Sequence, residues 1–97
     1  MKNIAIIETW TESEAGWGTR PDGISIHKSK ESYELYVENF WKDQPRETPN
    51  EYSRPDSHQR VATISDDLLK KLEESENGFR VWQHELKNLK EEINYVL

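Results

Sequence analysis

The chain has no cysteine among its 97 residues. That excludes disulfides and thiolate metal sites and fits a reducing compartment. It has no N-x-[ST] sequon either, so nothing marks it for N-glycosylation. Its longest apolar run, in MKNIAIIETW, is too short for a membrane span or the apolar region of a signal peptide. A soluble, cytosolic protein is expected. Large apolar residues are scarce as well: Leu, Ile, Val and Phe make up 20 of 97, just above the level at which disorder becomes the default. Positive charge is in deficit. Thirteen basic residues face 19 acidic ones, for a formal net charge of −6 that the two halves share evenly. No basic face stands out, which argues against direct binding to a phosphate backbone. An acidic exterior serves solubility and favours basic protein partners.

Against these deficits stand ten aromatic residues and a periodic arrangement of the apolar ones. The stretch Ser29 to Gln44 (SKESYELYVENFWKDQ) is the strongest. Tyr33, Tyr36, Val37, Phe40 and Trp41 recur at the spacing of one helical face, with Ser29 as N-cap and Pro45 as stop. Four of those five are aromatic, so this rod is expected to carry much of a thin core.

Asn3 to Trp10 reads as a strand with apolar residues on both faces, hence a central one. Thr11 to Gly23 reads as a long loop punctuated by Gly16, Gly18 and the Pro21-Asp22-Gly23 turn signal. Ile24 to His27 reads as a second strand with Ile24 and Ile26 inward. Pro45 to Gln59 reads as irregular, and Arg60 to Ile64 as a third strand. Ser65 caps a helix with an acidic first turn and a Leu68, Leu69, Leu72 stripe, ended by Asn77-Gly78. Phe79, Trp82, Leu86, Leu89, Ile93 and Val96 then recur in steps of three and four, which predicts a helix to about Asn94. The alternation of Ile93, Tyr95 and Leu97 offers a strand as the alternative at the tail. The expectation is one α+β domain over residues 1–97. A short antiparallel sheet of about three strands packs with three helices in the order β-β-α-β-α-α.

Motifs with a chemical mechanism are missing. His84-Glu85 begins an H-E-x-x-H pattern, but its fifth position is Asn88, so the two-histidine zinc face is not formed. Gly16-Trp17-Gly18 lacks the third glycine and the following helix of a dinucleotide fingerprint. The pairs Asp66-Asp67, Glu73-Glu74 and Glu91-Glu92 are adjacent, so on a helix their side chains diverge by about 100°. No metal, no cofactor and no catalytic residue is expected, and the protein is read as a non-enzyme.

Two stretches are candidates for recognition. The first combines Trp10 and Trp17 with Glu8, Glu12 and Glu14. Tryptophan beside carboxylates suits a surface that meets a basic protein. The competing reading is that both tryptophans fold back over the sheet and complete a core short of aliphatics. The second runs from Arg46 through Tyr52 and Arg54 to Arg60, with Arg20 added. Guanidinium forks there would suit an anionic metabolite or nucleotide. Its competing reading is local pairing with Glu47, Glu51 and Asp56. The Phe79–Val96 seam has near-heptad spacing that could serve a homodimer, although it is short enough to pack on its own domain.

The run EYSRPD (Glu51 to Asp56), with PDGISIH before the aromatic helix and NGFRVW after the leucine helix, resembles small uncharacterised proteins of phages and mobile elements. That resemblance implies an anti-CRISPR-like host-defence antagonist, acting in the host cytoplasm by covering a basic surface of a nucleic-acid-handling or defence complex. It assigns no functional residue.

Overall fold

The β-branched, isoleucine-rich start of the chain becomes the centre of a sheet. The structure is a computed structural model that describes residues 3–14, 18–43 and 53–96. Its strands are β1 (Ile4–Glu14), β2 (Gly18–His27), β3 (Ser53–Ile64), β4 (Phe79–Val81) and β5 (Ile93–Tyr95). Its helices are α1 (Lys30–Lys42), α2 (Asp66–Glu74) and α3 (Gln83–Leu86), the last continuing as a 3₁₀ turn, Lys87–Leu89. All pairings are antiparallel, in the spatial order β4-β2-β1-β3-β5. The α+β class and the central place of the first strand agree with the sequence.

Three expectations are corrected. Among the described residues the sheet has five strands, and the order is β-β-α-β-α-β-α-β. Thr11–Glu14 and Gly18–Gly23 are strand, as is Ser53–Gln59. Their prolines fall where a strand has only one neighbour. Pro21 lies on the part of β2 that β4 does not reach, and Pro55 on the part of β3 that β5 does not reach. Edge segments tolerate a missing donor. The Pro-Asp-Gly signal produces a register shift against β1 rather than a chain reversal. Last, the predicted C-terminal helix is two three-residue strands flanking one short helical stretch, and the tail is the strand of the alternative reading. The apolar steps of three and four are shared among separate elements, so no continuous heptad seam exists.

The two sheet faces differ in chemistry. Ile7 lies opposite Ile26, and Ala5 opposite Ala62. With Ile24, Ile64 and Val81 they form an aliphatic face that receives Leu68 and Leu72 of α2 and Ile93 of β5. Each large side chain buried there contributes about 2 kcal/mol. Ser65 anchors this layer. Its Oγ accepts the Leu68 N–H and donates to Glu92 Oε1, so one residue caps α2 and ties it to the segment before β5. On the other face Ile6 lies opposite His27, Glu8 opposite Ser25, and Ser25 opposite Arg80. Helix α1 covers part of this polar face with Tyr33, Tyr36, Val37 and Phe40, which are buried or half-buried. Trp41, predicted on the same stripe, is 44% exposed. It sits about 100° around the helix from Phe40 and clears the sheet.

The turn between α2 and β4 requires a glycine at Gly78. Its φ is +118°, and a Cβ there would overlap the Ile26 carbonyl oxygen and His27 Nδ1. Gly78→Ala is expected to cost about 2 kcal/mol or more. Urea denaturation checks this: a midpoint unchanged from wild type would show that the turn does not press on His27.

Candidate functional site

The polar face beneath α1 is organised as a chain of hydrogen bonds. Trp10 Nε1–H donates to Ser25 Oγ at 2.8 Å, and Ser25 Oγ lies 2.7 Å from His27 Nε2. His27 Nδ1 lies 2.7 Å from the Asn77 carbonyl oxygen. A carbonyl can only accept, so Nδ1 carries the proton in neutral His27 and Nε2 accepts from the Ser25 hydroxyl. Every proton in the chain is thereby placed. Trp10, Ser25 and His27 are all wholly buried. The His27 ring packs edge-on to Tyr33 and Tyr36, with centroids 5.5 and 5.0 Å away. Trp10 packs edge-on to Tyr36 and Phe40 at 6.2 and 4.9 Å.

A cation completes the arrangement. The Arg80 guanidinium lies 4.1 Å from the Trp10 ring centroid and 4.2 Å from that of Trp82. It donates to the Asp22 carbonyl oxygen at 2.8 Å and sits 3.6 Å from the Asp22 carboxylate. Burial pulls its pKa below the ordinary arginine value, while Tyr36 and Asp22 pull it back up. Two indole faces and a carboxylate hold the charge in place of water.

Between the C-terminal half of α1 and the α2–β4 turn lies a cleft of about 370 Å³. Tyr36 and Phe40 line one wall, Asn77 and Gly78 the other, with Trp10 and Arg80 behind. Asp43 and Glu76 stand at its exposed rim. Carboxylates set against aromatic rings suit the ammonium or guanidinium group of a basic side chain. The His27 bond to Asn77 fixes the wall opposite α1, so the buried chain sets the width of the cleft.

The serine–histidine–carbonyl order is that of an activated nucleophile. Here it is sealed: Ser25 is wholly buried and its oxygen already accepts the Trp10 N–H. Its role in this structure is to hold Trp10 and the Asn77 turn in register. Among the described residues, no group of three His, Asp or Glu side chains is arranged to hold a metal ion. No helix among them is long and apolar enough to cross a membrane.

The residues predicted from sequence are dispersed. Glu8 and Trp10 are wholly buried, so neither is an exposed anchor on the outer surface. Trp10 folds back over the sheet, as the competing reading has it. Glu8 faces the Tyr33 hydroxyl, which also meets Gln59. Burial, then the Glu8 charge, raises the Tyr33 pKa. Glu12 pairs with Arg20 at 2.9 Å across β1 and β2, joining one residue from each predicted set. Glu14 ends β1, and Trp17, Arg46 and Tyr52 lie outside the described residues. Arg20 pairs in register with Glu12 and Arg54 with Thr11, which puts the two arginines on opposite faces of the ribbon. Arg60 stacks 3.9 Å over Tyr95 near the β5 edge. Arg20, Arg54 and Arg60 therefore do not converge on one anion.

Sequence reasoning missed Ser25, His27, Asn77 and Arg80, together with the rim pair Asp43 and Glu76. A usable signal was present. Ser25 and His27 alternate with Ile24 and Ile26, just as Glu8 and Trp10 alternate with Ile7. Each is a strand-period polar set on the face opposite the aliphatics.

No known protein family, curated protein or solved structure matches the chain.

Burial depresses the His27 pKa, outweighing the hydrogen bond to Asn77 that raises it. The unfolded chain therefore binds a proton at this site more readily than the folded one. The resulting stability is complete above the unfolded value near 6.5 and declines as pH falls below it, with a slope of at most about 1.4 kcal/mol per pH unit. NMR titration of the ring should place its midpoint below 6.5. A midpoint at or above that value would show that burial of the ring does not outweigh its hydrogen bond to Asn77.

Proposed function

We propose that the chain is a non-enzymatic acidic binding protein that occupies a basic surface of a partner protein, receiving lysine or arginine side chains in the cleft between α1 and the α2–β4 turn. The observation that carries this reading is the juxtaposition of Tyr36 and Phe40 with the exposed carboxylates of Asp43 and Glu76 around about 370 Å³ of open space. The net charge of −6 supports it by favouring encounter with positive surfaces. The contact surface moves from the β1–β2 hairpin, where the sequence suggested it, to the α1 side of the sheet. Partners suited to this chemistry are proteins whose basic surface handles nucleic acid, and an antagonist of a host defence complex would act in this way.

The test is titration with a short acetylated Lys-Arg peptide, followed by fluorescence anisotropy. Asp43→Lys combined with Glu76→Lys should weaken binding at least tenfold, and so should raising salt from about 50 to 300 mM. Both rim residues are exposed, so the fold should survive the exchange. Binding that ignores salt and the double variant would place recognition elsewhere.

A further inference from the structure

A second concavity lies on the opposite side of the sheet, where the aliphatic layer is left open. Its walls are Gln83 and Leu86 from α3, Lys87 and Leu89 from the 3₁₀ turn, Lys90 just after it, and Ile93 and Tyr95 from β5. The space is about 440 Å³, within the range of small-molecule sites. Ile93 belongs to the aliphatic core, and Leu86 and Leu89 pack against it, so the floor continues the protein's own hydrophobic interior outward. The charged groups lining it are both lysines. Lys87 and Lys90 are three residues apart in a helical stretch, so they emerge on one side. The Arg60 guanidinium stacks over the outer wall, 3.9 Å from the Tyr95 ring centroid.

We propose that this groove binds a single-chain amphiphile with an anionic head, a free medium-chain carboxylate. The apolar chain lies along Leu86, Leu89 and Ile93, and the carboxylate meets Lys87 and Lys90. Charge complementarity selects the head, and the open continuation of the core selects the tail. An amphipathic helix from a protein fits less well. It would need apolar anchors over two or more turns, whereas this floor is supplied by one short helical stretch and a three-residue strand. The inference is independent of the acidic cleft, which draws none of its lining residues from this groove.

Isothermal titration with dodecanoate, below its micelle concentration, provides the test. Dodecanoate should bind wild type, and Lys87→Glu with Lys90→Glu should weaken it fivefold to tenfold. Both lysines are exposed, so the double variant should fold. Dodecyltrimethylammonium, with the same tail and the opposite head, should bind far more weakly. Asp43→Lys with Glu76→Lys should leave dodecanoate binding unchanged. The proposal is overturned if wild type does not bind dodecanoate, if the cationic amphiphile binds equally well, or if the lysine exchange has no effect. Tighter binding of an acidic amphipathic peptide at the same lysines would overturn the choice of ligand.

Discussion

The Trp10 indole is the constraint on which the α1 side of this protein depends. Three different interactions meet on one ring: its N–H is committed to Ser25, its face carries Arg80, and it packs in a T-shape with Phe40. An indole can satisfy all three in burial because it is apolar over most of its area and has a single donor. Through Ser25 and His27 that donor is linked to the Asn77 carbonyl on the far wall of the cleft. Each bond in such a series is modest on its own, but a buried polar group left without its partner costs about 1–3 kcal/mol. The series therefore tends to be kept whole, and the turn bearing Glu76 keeps its distance from the helix bearing Asp43.

The two sides of the sheet answer the scarcity of aliphatic residues differently. One side concentrates the available Ile, Leu, Val and Ala against α2 and makes an ordinary apolar layer. The other has too few left and is filled with rings and with the Trp10–Ser25–His27 hydrogen-bond series. That second layer accepts Glu8, Ser25 and His27 in full burial. The arrangement leaves carboxylates outside and aromatic surface just within the rim, and the proposed recognition of a basic side chain draws on both.

Much of the architecture was legible because it follows from period and caps. The Ser29 cap, the extent of α1, the Ser65 cap and the central first strand are all local signals that the packing reinforces. What was illegible has identifiable physical causes. Pro21 and Pro55 mark breaks when read locally, yet both are accommodated on strand edges, which only the sheet order reveals. Strands β4 and β5 are three residues long, too short to display alternation, and their apolar residues happened to match helical steps. The candidate site suffered most. Glu8, Ser25, His27 and Arg80 are of types ordinarily found outside, and their burial depends on partners supplied from distant positions. Asp43 and Glu76 are 33 positions apart and become neighbours across a cleft only once α1 is laid on the sheet. Trp10 was grouped with Trp17 because the strand alternation that sets it on the face opposite Ile7 was read only for its aliphatic residues.

The central claim is that Trp10 is sealed and hydrogen-bonded while serving as the back wall of the cleft. Hydrogen exchange at the tryptophan indole N–H groups, read by NMR, tests it most directly. Trp10 Nε1–H should exchange slower than the indole protons of the half-exposed Trp41 and Trp82 by orders of magnitude. Exchange of the Trp10 proton at the pace of those two would contradict the account.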